Sequence, residues 1–522
     1  VTSDQSPEQP ASEGVGSTPS APTHDPGMTS LADSDSPGRA QTDGEAPARS
    51  VMIAGEMLNW SDLHPTDGRP AVSGPVPAEL LAAVLRPTDS VLVAGPHALD
   101  LLEQIAKTVA SVDVLTRSAP DAEEIAEALG VRVFCGSLDH FGPEHGEASY
   151  DVVVALDGVP RLVGPDTLVM PWADGLATLK SRLAPGGRLL LGAENSFGIE
   201  RLVQPDPTIT VPRDADWPAD VRGDTLAPAG LKAVLAALEA AELSVTRTYA
   251  LYPTLVEASI GLSPVDGPLA AAVVARVVAA RFSGPTLTDP YRTTQEALAA
   301  GLGSELAPGW FFVIGADAPA VLPDGAVPAG PGVLLEEELF AALRVDDQAA
   351  IRRTVPLYVE WLRAQEPSVA AVASADNVIS DGTAYRVFGD AEAVEVRGDA
   401  LVVAHLGRFV RRSLEAGSRQ PWAVGSGPRE LTARLASTAG ITVTDGLWAA
   451  VAENNEMVRP QGSAEQLQTI ARLAQELADA SAQATWFEGQ LKGIRRSKPY
   501  RVGQAVLNPA RVVVKRVRRV VR

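Results

Sequence analysis

Glu194 and Asn195 follow an apolar run, Arg188 to Ala193. A carboxylate beside an amide at a strand tip could orient a hydroxyl and take its proton, although Asn195 could equally cap a turn. Asp157 stands in a similar place, just past the run Asp151 to Leu156 in Leu156-Asp157-Gly158-Val159-Pro160. A carboxylate there needs water, a donor partner or a ligand, because burying it alone is costly. His97, His140 and His145 fall in loops between apolar runs. Imidazole titrates near neutrality and suits proton transfer, but a loop histidine can equally be a solvated surface group. Asp139 precedes His140, and Asp113 lies inside the run Val112 to Leu115.

These residues must be positioned by alternating strands and helices. Ser90 to Gly95, Val112 to Leu115, Val131 to Cys135, Asp151 to Leu156 and Arg188 to Ala193 read as buried strands. Ala98 to Ala110, Asp121 to Leu129 and Trp172 to Leu183 carry helical spacing between them. The alternation predicts an α/β fold with a doubly wound Rossmann-like sheet, which binds ligands at the carboxyl ends of its strands. The turn Gly95-Pro96-His97-Ala98-Leu99-Asp100 has one glycine, where a nucleotide loop uses two or three so that backbone can approach the ligand. Gly95 alone is equally a tight strand-to-helix turn. The next loop, Leu115-Thr116-Arg117-Ser118, has no acid at the strand tip to accept ribose hydroxyls; Asp113 comes two residues early.

Composition bounds the rest. With 522 residues and 45% hydrophobic content the chain can bury a large core and form several domains. A net charge of -21 excludes nucleic-acid binding through a generally basic surface. The lone Cys135, closing a strand, excludes an internal disulfide framework and fits a reducing compartment. The N-terminus lacks the order of a signal peptide and no run is long enough to span a bilayer, so the expected location is cytoplasmic, on or near the inner face of the membrane.

Helix Leu176 to Leu183, then Ala184-Pro185-Gly186-Gly187, then the strand from Arg188, is a helix stop and turn before a strand. In this order it resembles the passage into the fifth strand of class I S-adenosylmethionine-dependent methyltransferases. Tyr150 to Asp157 resembles their fourth strand. After helix Ala227 to Ala240, with Pro228 in its first turn, Leu243 to Tyr252 and Leu255 to Leu262 suit the antiparallel pair that closes that family's sheet. Glu194-Asn195-Ser196-Phe197-Gly198 and Leu251-Tyr252-Pro253 bring the resemblance closest to methyltransferase-like proteins of bacterial surface-polysaccharide gene clusters. It covers about Leu85 to Leu262. It implies bound S-adenosylmethionine and methyl transfer to a sugar hydroxyl of a surface glycan or its lipid-linked precursor. By position the resemblance makes Gly95 the first glycine of the cofactor loop and puts Asp139 where an acid often faces adenine; His97, Asp113 and Asp157 complete the expected cofactor contacts, and the catalytic candidates are Glu194, Asn195 and His140. His97 and Leu99 stand where the family pattern prefers glycine. A catalytically degenerate scaffold in a glycan assembly complex is the alternative, and the crowded first loop decides between the two.

The expected organisation is an acidic tail over 1–50, the methyltransferase-like domain over 51–262, an α+β accessory domain over 263–455, a helix or short coiled coil over 456–494 and a basic amphipathic tail over 495–522. The acidic tail has almost no large apolar residue with which to offset ordering entropy. In the accessory region Leu269 to Arg281, Glu336 to Leu343 and Ala349 to Arg363 read as helices and Gly309 to Gly315 as a strand. Asp376 to Asp390 reads as a hairpin turning at Asp381-Gly382, loosely reminiscent of the metal-loop hairpin of kinase-like folds. Leu467, Ile470, Ala474, Leu477, Ser481 and Ala484 keep three- and four-residue steps that suit a coiled coil and a homodimer, or packing on the chain's own domain. The acid-free tail, with Lys515, Arg516, Arg518, Arg519 and Arg522 beside Val513, Val517, Val520 and Val521, suits an anionic membrane surface or the chain's own acidic face.

Overall fold

The computed structural model describes residues 50–65, 69–147, 149–164, 170–204, 227–282, 284, 286–382, 384–389, 391–416, 418, 420, 427–451 and 463–496. The acidic tail up to residue 49, the basic tail from 497 and Asp390 lie outside them.

Short β1 (Ser50–Met52) opens the described chain and is followed by α1 (Pro75–Val84). The alternating region then runs β2 (Ser90–Ala94), α2 (Leu99–Thr108), β3 (Ser111–Thr116), α3 (Ala119–Leu129), β4 (Arg132–Cys135), β5 (Tyr150–Ala155), α4 (Trp172–Ser181) and β6 (Leu183–Glu194). After α5 (Ile199–Val203) and α6 (Leu231–Ala240) come β7 (Val245–Tyr252), β8 (Ile260–Leu262), α7 (Pro268–Ala280), α8 (Pro290–Ala299), β9 (Gly309–Ile314) and β10 (Val321–Leu322).

These ten strands form one sheet in the order β1-β4-β3-β2-β5-β6-β9-β7-β8-β10. From β1 to β6 all neighbours are parallel, and β9 enters antiparallel between β6 and β7. The strands read as continuous apolar runs because both faces are covered. Leu92, Ala94, Val153, Ala155, Leu189 and Leu191 face one layer with α4, α6 and α7, while Val91, Val93, Val152, Val154 and Leu190 face α1, α2 and α3.

Three sequence expectations change. Ala184-Pro185-Gly186-Gly187 lies within β6 as an irregularity: Leu183 pairs with Tyr150, the register shifts, and pairing resumes at Arg188 with Val152, Gly186 taking φ 75°. The helix expected from Ala227 begins at Leu231, after Gly230 at φ 80°, so Pro228 precedes it. The sheet also continues past Leu262. β9, expected in the accessory region, separates β6 from β7, and β8 pairs on the outer side of β7. Its run Trp310-Phe311-Phe312-Val313 is wholly buried, as only an interior strand requires.

Beyond the sheet lie β11 (Val333–Leu334), α9 (Leu335–Arg344), α10 (Gln348–Arg363), α11 (Pro367–Val372), β12 (Val378–Ser380), β13 (Tyr385–Val387), α12 (Asp399–Glu415), α13 (Pro428–Thr438) and α14 (Asp445–Ala450). The hairpin expected at Asp381-Gly382 forms between β12 and β13, and β11 joins it as a third strand. Leu339, Phe340, Ile351, Tyr358, Leu406 and Phe409 make a separate core there. The long α15 (Ser463–Arg496) exposes Leu467, Ile470, Leu473 and Leu477. Among the described residues no helix is long and apolar enough to cross a membrane.

Candidate functional site

The carboxyl ends of β2 to β6 converge where a doubly wound sheet places its ligand. Here the chain's own residues 53–65 and 69–73 cross them. The Ile53 N–H donates to Cys135 O at the end of β4, and Ser137 N–H returns a bond to Ala54 O. Met57 N–H donates to Arg117 O after β3, and Ala119 N–H donates to Met57 O. Val72 N–H donates to Pro96 O after β2, and Ala98 N–H donates to Val72 O. The backbone polarity of three loops is thereby satisfied by one strap.

Side chains lock it. Arg117, at the tip of β3, donates from Nε and Nη2 to the two oxygens of Asp62 at 2.8 and 2.8 Å, and from Nη1 to Val163 O at 3.1 Å. Arg161 donates to Asp62 Oδ1 at 2.9 Å and to Pro70 O at 2.9 Å, and lies 3.0 Å from Asp157 Oδ2. Arg69 completes the chain of charges, 3.1 Å from Asp157 and 2.7 Å from Glu194, which also receives Arg201 at 2.9 Å. Asp62, Arg117, Asp157 and Arg161 are all buried. Burial alone would raise the Asp62 carboxyl, yet Arg117 and Arg161 hold it well below the usual carboxylate range. Burial would lower the Arg69 guanidinium, and Asp157 and Glu194 instead raise it.

The residues expected to contact a cofactor therefore have other work. Gly95 adopts φ 91°, and a Cβ there would lie 3.1 Å from Leu162 Cδ2, so Leu162 covers its open face. His97 is buried, its Nδ1 3.0 Å from Gly95 O and its Nε2 3.4 Å from the Leu156 N–H. Burial lowers its pKa, and the neutral tautomer with Nδ1–H satisfies both contacts. Leu99 is half-buried against the α1 and α2 layer. Asp113 is a correction: it sits toward the amino ends of the strands, where Arg132 grips it at 2.9 and 2.5 Å and Tyr150 Oη donates at 2.6 Å. Of the expected set, Asp157 and Glu194 are joined through Arg69.

Asn195 is buried; its amide donates to Glu305 O and Ala307 O at 2.9 and 2.8 Å and accepts from Phe197 N–H, so it anchors a loop as its capping alternative implied. His140 and Asp139 lie in a 3-10 turn after β4, 3.5 Å from each other, with His140 half-exposed. Sequence reasoning missed Asp62, Arg69, Arg161 and Glu200. Glu200, in α5, is pushed up to about 7 by burial, and its Oε2 is buried with no hydrogen-bond partner.

S-adenosylmethionine requires open backbone after β2 and a hydroxyl acceptor at the tip of β3. Leu162 and His97 fill the first place, and a cation committed to Asp62 occupies the second. The residues present do not fit that cofactor.

No protein-family model matches the chain, and no curated protein matches it. Among solved structures it is similar to an S-adenosylmethionine-dependent methyltransferase from Thiobacillus denitrificans in complex with S-adenosyl-L-homocysteine, at 17% identity over 48% of this chain and 93% of that one, TM-score 0.25. A methyltransferase from Geobacter sulfurreducens, also in complex with S-adenosyl-L-homocysteine, gives 16% identity over 46% and 85%, TM-score 0.22. An N-methyltransferase from Bradyrhizobium japonicum gives 14% over 34% and 85%, TM-score 0.22. The order and directions of the strands make this an α/β, class I methyltransferase-like fold with an added α+β region.

Proposed function

We propose that this chain is a catalytically silent methyltransferase-fold scaffold that holds partners in a membrane-adjacent glycan assembly complex. The observation that carries it is the largely buried chain Arg117-Asp62-Arg161-Asp157-Arg69-Glu194, which occupies the carboxyl edge of the sheet. Opening such a network would strand several buried charges, each at a cost of several kcal/mol, so a small ligand must supply more than ordinary binding energy to enter. The exposed Leu467, Ile470 and Leu477 on α15 support a homodimer through that helix. The acid-free sequence after Arg495 supports contact with an anionic membrane surface. Photochemical cross-linking with radiolabelled S-adenosylmethionine tests the reading: label absent from the folded protein agrees with it, and label on 53–73 or on the loops after β2 and β3 contradicts it.

One observation favours a second reading, methyl transfer to a glycan or lipid-linked sugar hydroxyl once the strap is displaced. Burial, with Glu194 adding to it, pushes the Glu200 carboxyl up to about 7, which suits a general base. Label that enters the cleft and is lost on competition with S-adenosylhomocysteine would select this reading.

A further inference from the structure

A second polar site lies away from the strap, in a cavity of about 340 Å³ walled by α7, α8, α9, α12 and the turn before β12. Three arginines face it: Arg276, Arg408 and Arg412. Two of them are neutralised. Arg408 grips Asp376 from Nε and Nη2 at 3.0 and 2.7 Å, and Arg412 grips Glu336 at 2.5 and 2.8 Å. Arg276 has no ion pair among the described residues; its contact is the ring of Phe388, 4.5 Å from the guanidinium carbon.

Two further carboxylates, Asp289 and Glu415, stand on the wall. Asp289 caps α8, accepting from the N–H groups of Tyr291 and Arg292 at 2.9 and 3.2 Å. Burial raises the Glu415 carboxyl, with Arg412 and Arg411 opposing the shift. Burial lowers the Arg276 pKa despite Tyr291, Asp376 and Glu336 nearby, which is the mark of a cation short of negative charge.

A second, independent mark is Asn377. It is 2% exposed, and its amide nitrogen donates to Val372 O and Gly389 O at 3.0 and 2.8 Å. Its Oδ1 is buried with no partner, and the residue lines the cavity. A buried acceptor without a donor costs about 1–3 kcal/mol, and a ligand hydroxyl would satisfy it.

We propose that this cavity binds a small phosphorylated polyol, its phosphate on Arg276 with the outer edges of Arg408 and Arg412, and a hydroxyl donating to Asn377 Oδ1. The volume suits a molecule of hexose-phosphate size, and an arginine fork matches phosphate oxygens two at a time. Phe340 and the alanines 279, 280 and 416 give the carbon skeleton an apolar wall. The site is independent of the strap and of whether the sheet binds a cofactor.

The test is calorimetric titration of the full chain with glucose 1-phosphate, inorganic phosphate and glucose. The expected result is saturable binding of glucose 1-phosphate, weaker binding of phosphate and none of glucose. Arg276→Gln should fold, because it removes a charge with no partner, and should weaken binding at least about tenfold; Arg276→Lys should retain part of it, having the charge without the fork. Hydrogen exchange on the unmutated protein places the ligand: added protection should be confined to 268–280, 375–378 and 408–412. No binding of glucose 1-phosphate, equal affinity in Arg276→Gln, or protection elsewhere overturns the proposal.

Discussion

Arg117 and Asp62 face each other across 55 residues of chain in a bidentate pair, and each side chain is 1% exposed. The pair fastens the strap to the tip of β3. It places a guanidinium where a nucleoside-binding sheet would carry an acid. Removing one partner leaves a buried charge alone, which typically costs about 3–5 kcal/mol. Arg117→Ala should therefore lower unfolding stability by about that amount in urea denaturation. Arg117→Ala combined with Asp62→Ala should cost less than the sum of the single changes.

Acid should act through the same carboxylate. The native pKa of Asp62 lies below its ordinary 3.8. Its contribution is complete above the unfolded value and fades as pH falls through 3.8 toward the native value. Asp62→Asn should be less stable than the parent at pH 6, with the gap narrowing as denaturation is repeated below pH 4.

Glu200 should act in the opposite sense. Its native pKa is raised from 4.5 to about 7, so the native state holds a proton that the unfolded chain has released. Stability falls as pH rises from 4.5 and levels off above about 7, a loss of roughly 3 kcal/mol at 1.36 kcal/mol per unit. Glu200→Gln should abolish that slope. Urea midpoints at pH 5 and pH 8, compared between the two proteins, measure it.

Cys135 is fully buried, and burial pushes its thiol up to about 12. Thiolate is the reactive form. The native protein should resist a thiol reagent at pH 8 and react with one equivalent after denaturation; rapid native labelling would contradict the burial of β4 beneath β1 and α3.

The alternating sheet was legible because buried parallel strands are written as unbroken apolar runs such as Val91-Leu92-Val93. β9 was equally visible as a strand, but its place between β6 and β7 depends on pairing across more than fifty residues, which periodicity does not encode. The crowding of the first loop was also legible in His97, whereas Leu99 packs on the α1 and α2 layer and Leu162 covers Gly95. The strap was not. Asp62 and Arg69 stand in a stretch with little period, and their partners Arg117, Arg161 and Asp157 are distant in sequence. Arg117 was seen only as the missing acid. Asp113 misled because a strand residue two places early points to the other end of the sheet, where Arg132 and Tyr150 take it.

The most direct measurement is calorimetric titration of the full chain with S-adenosylmethionine and S-adenosylhomocysteine, run beside Gly95→Trp. A closed carboxyl edge gives no saturable heat with either ligand in either protein. Micromolar binding to the parent that is lost in Gly95→Trp would put the cofactor in the cleft after β2, and would contradict the scaffold account.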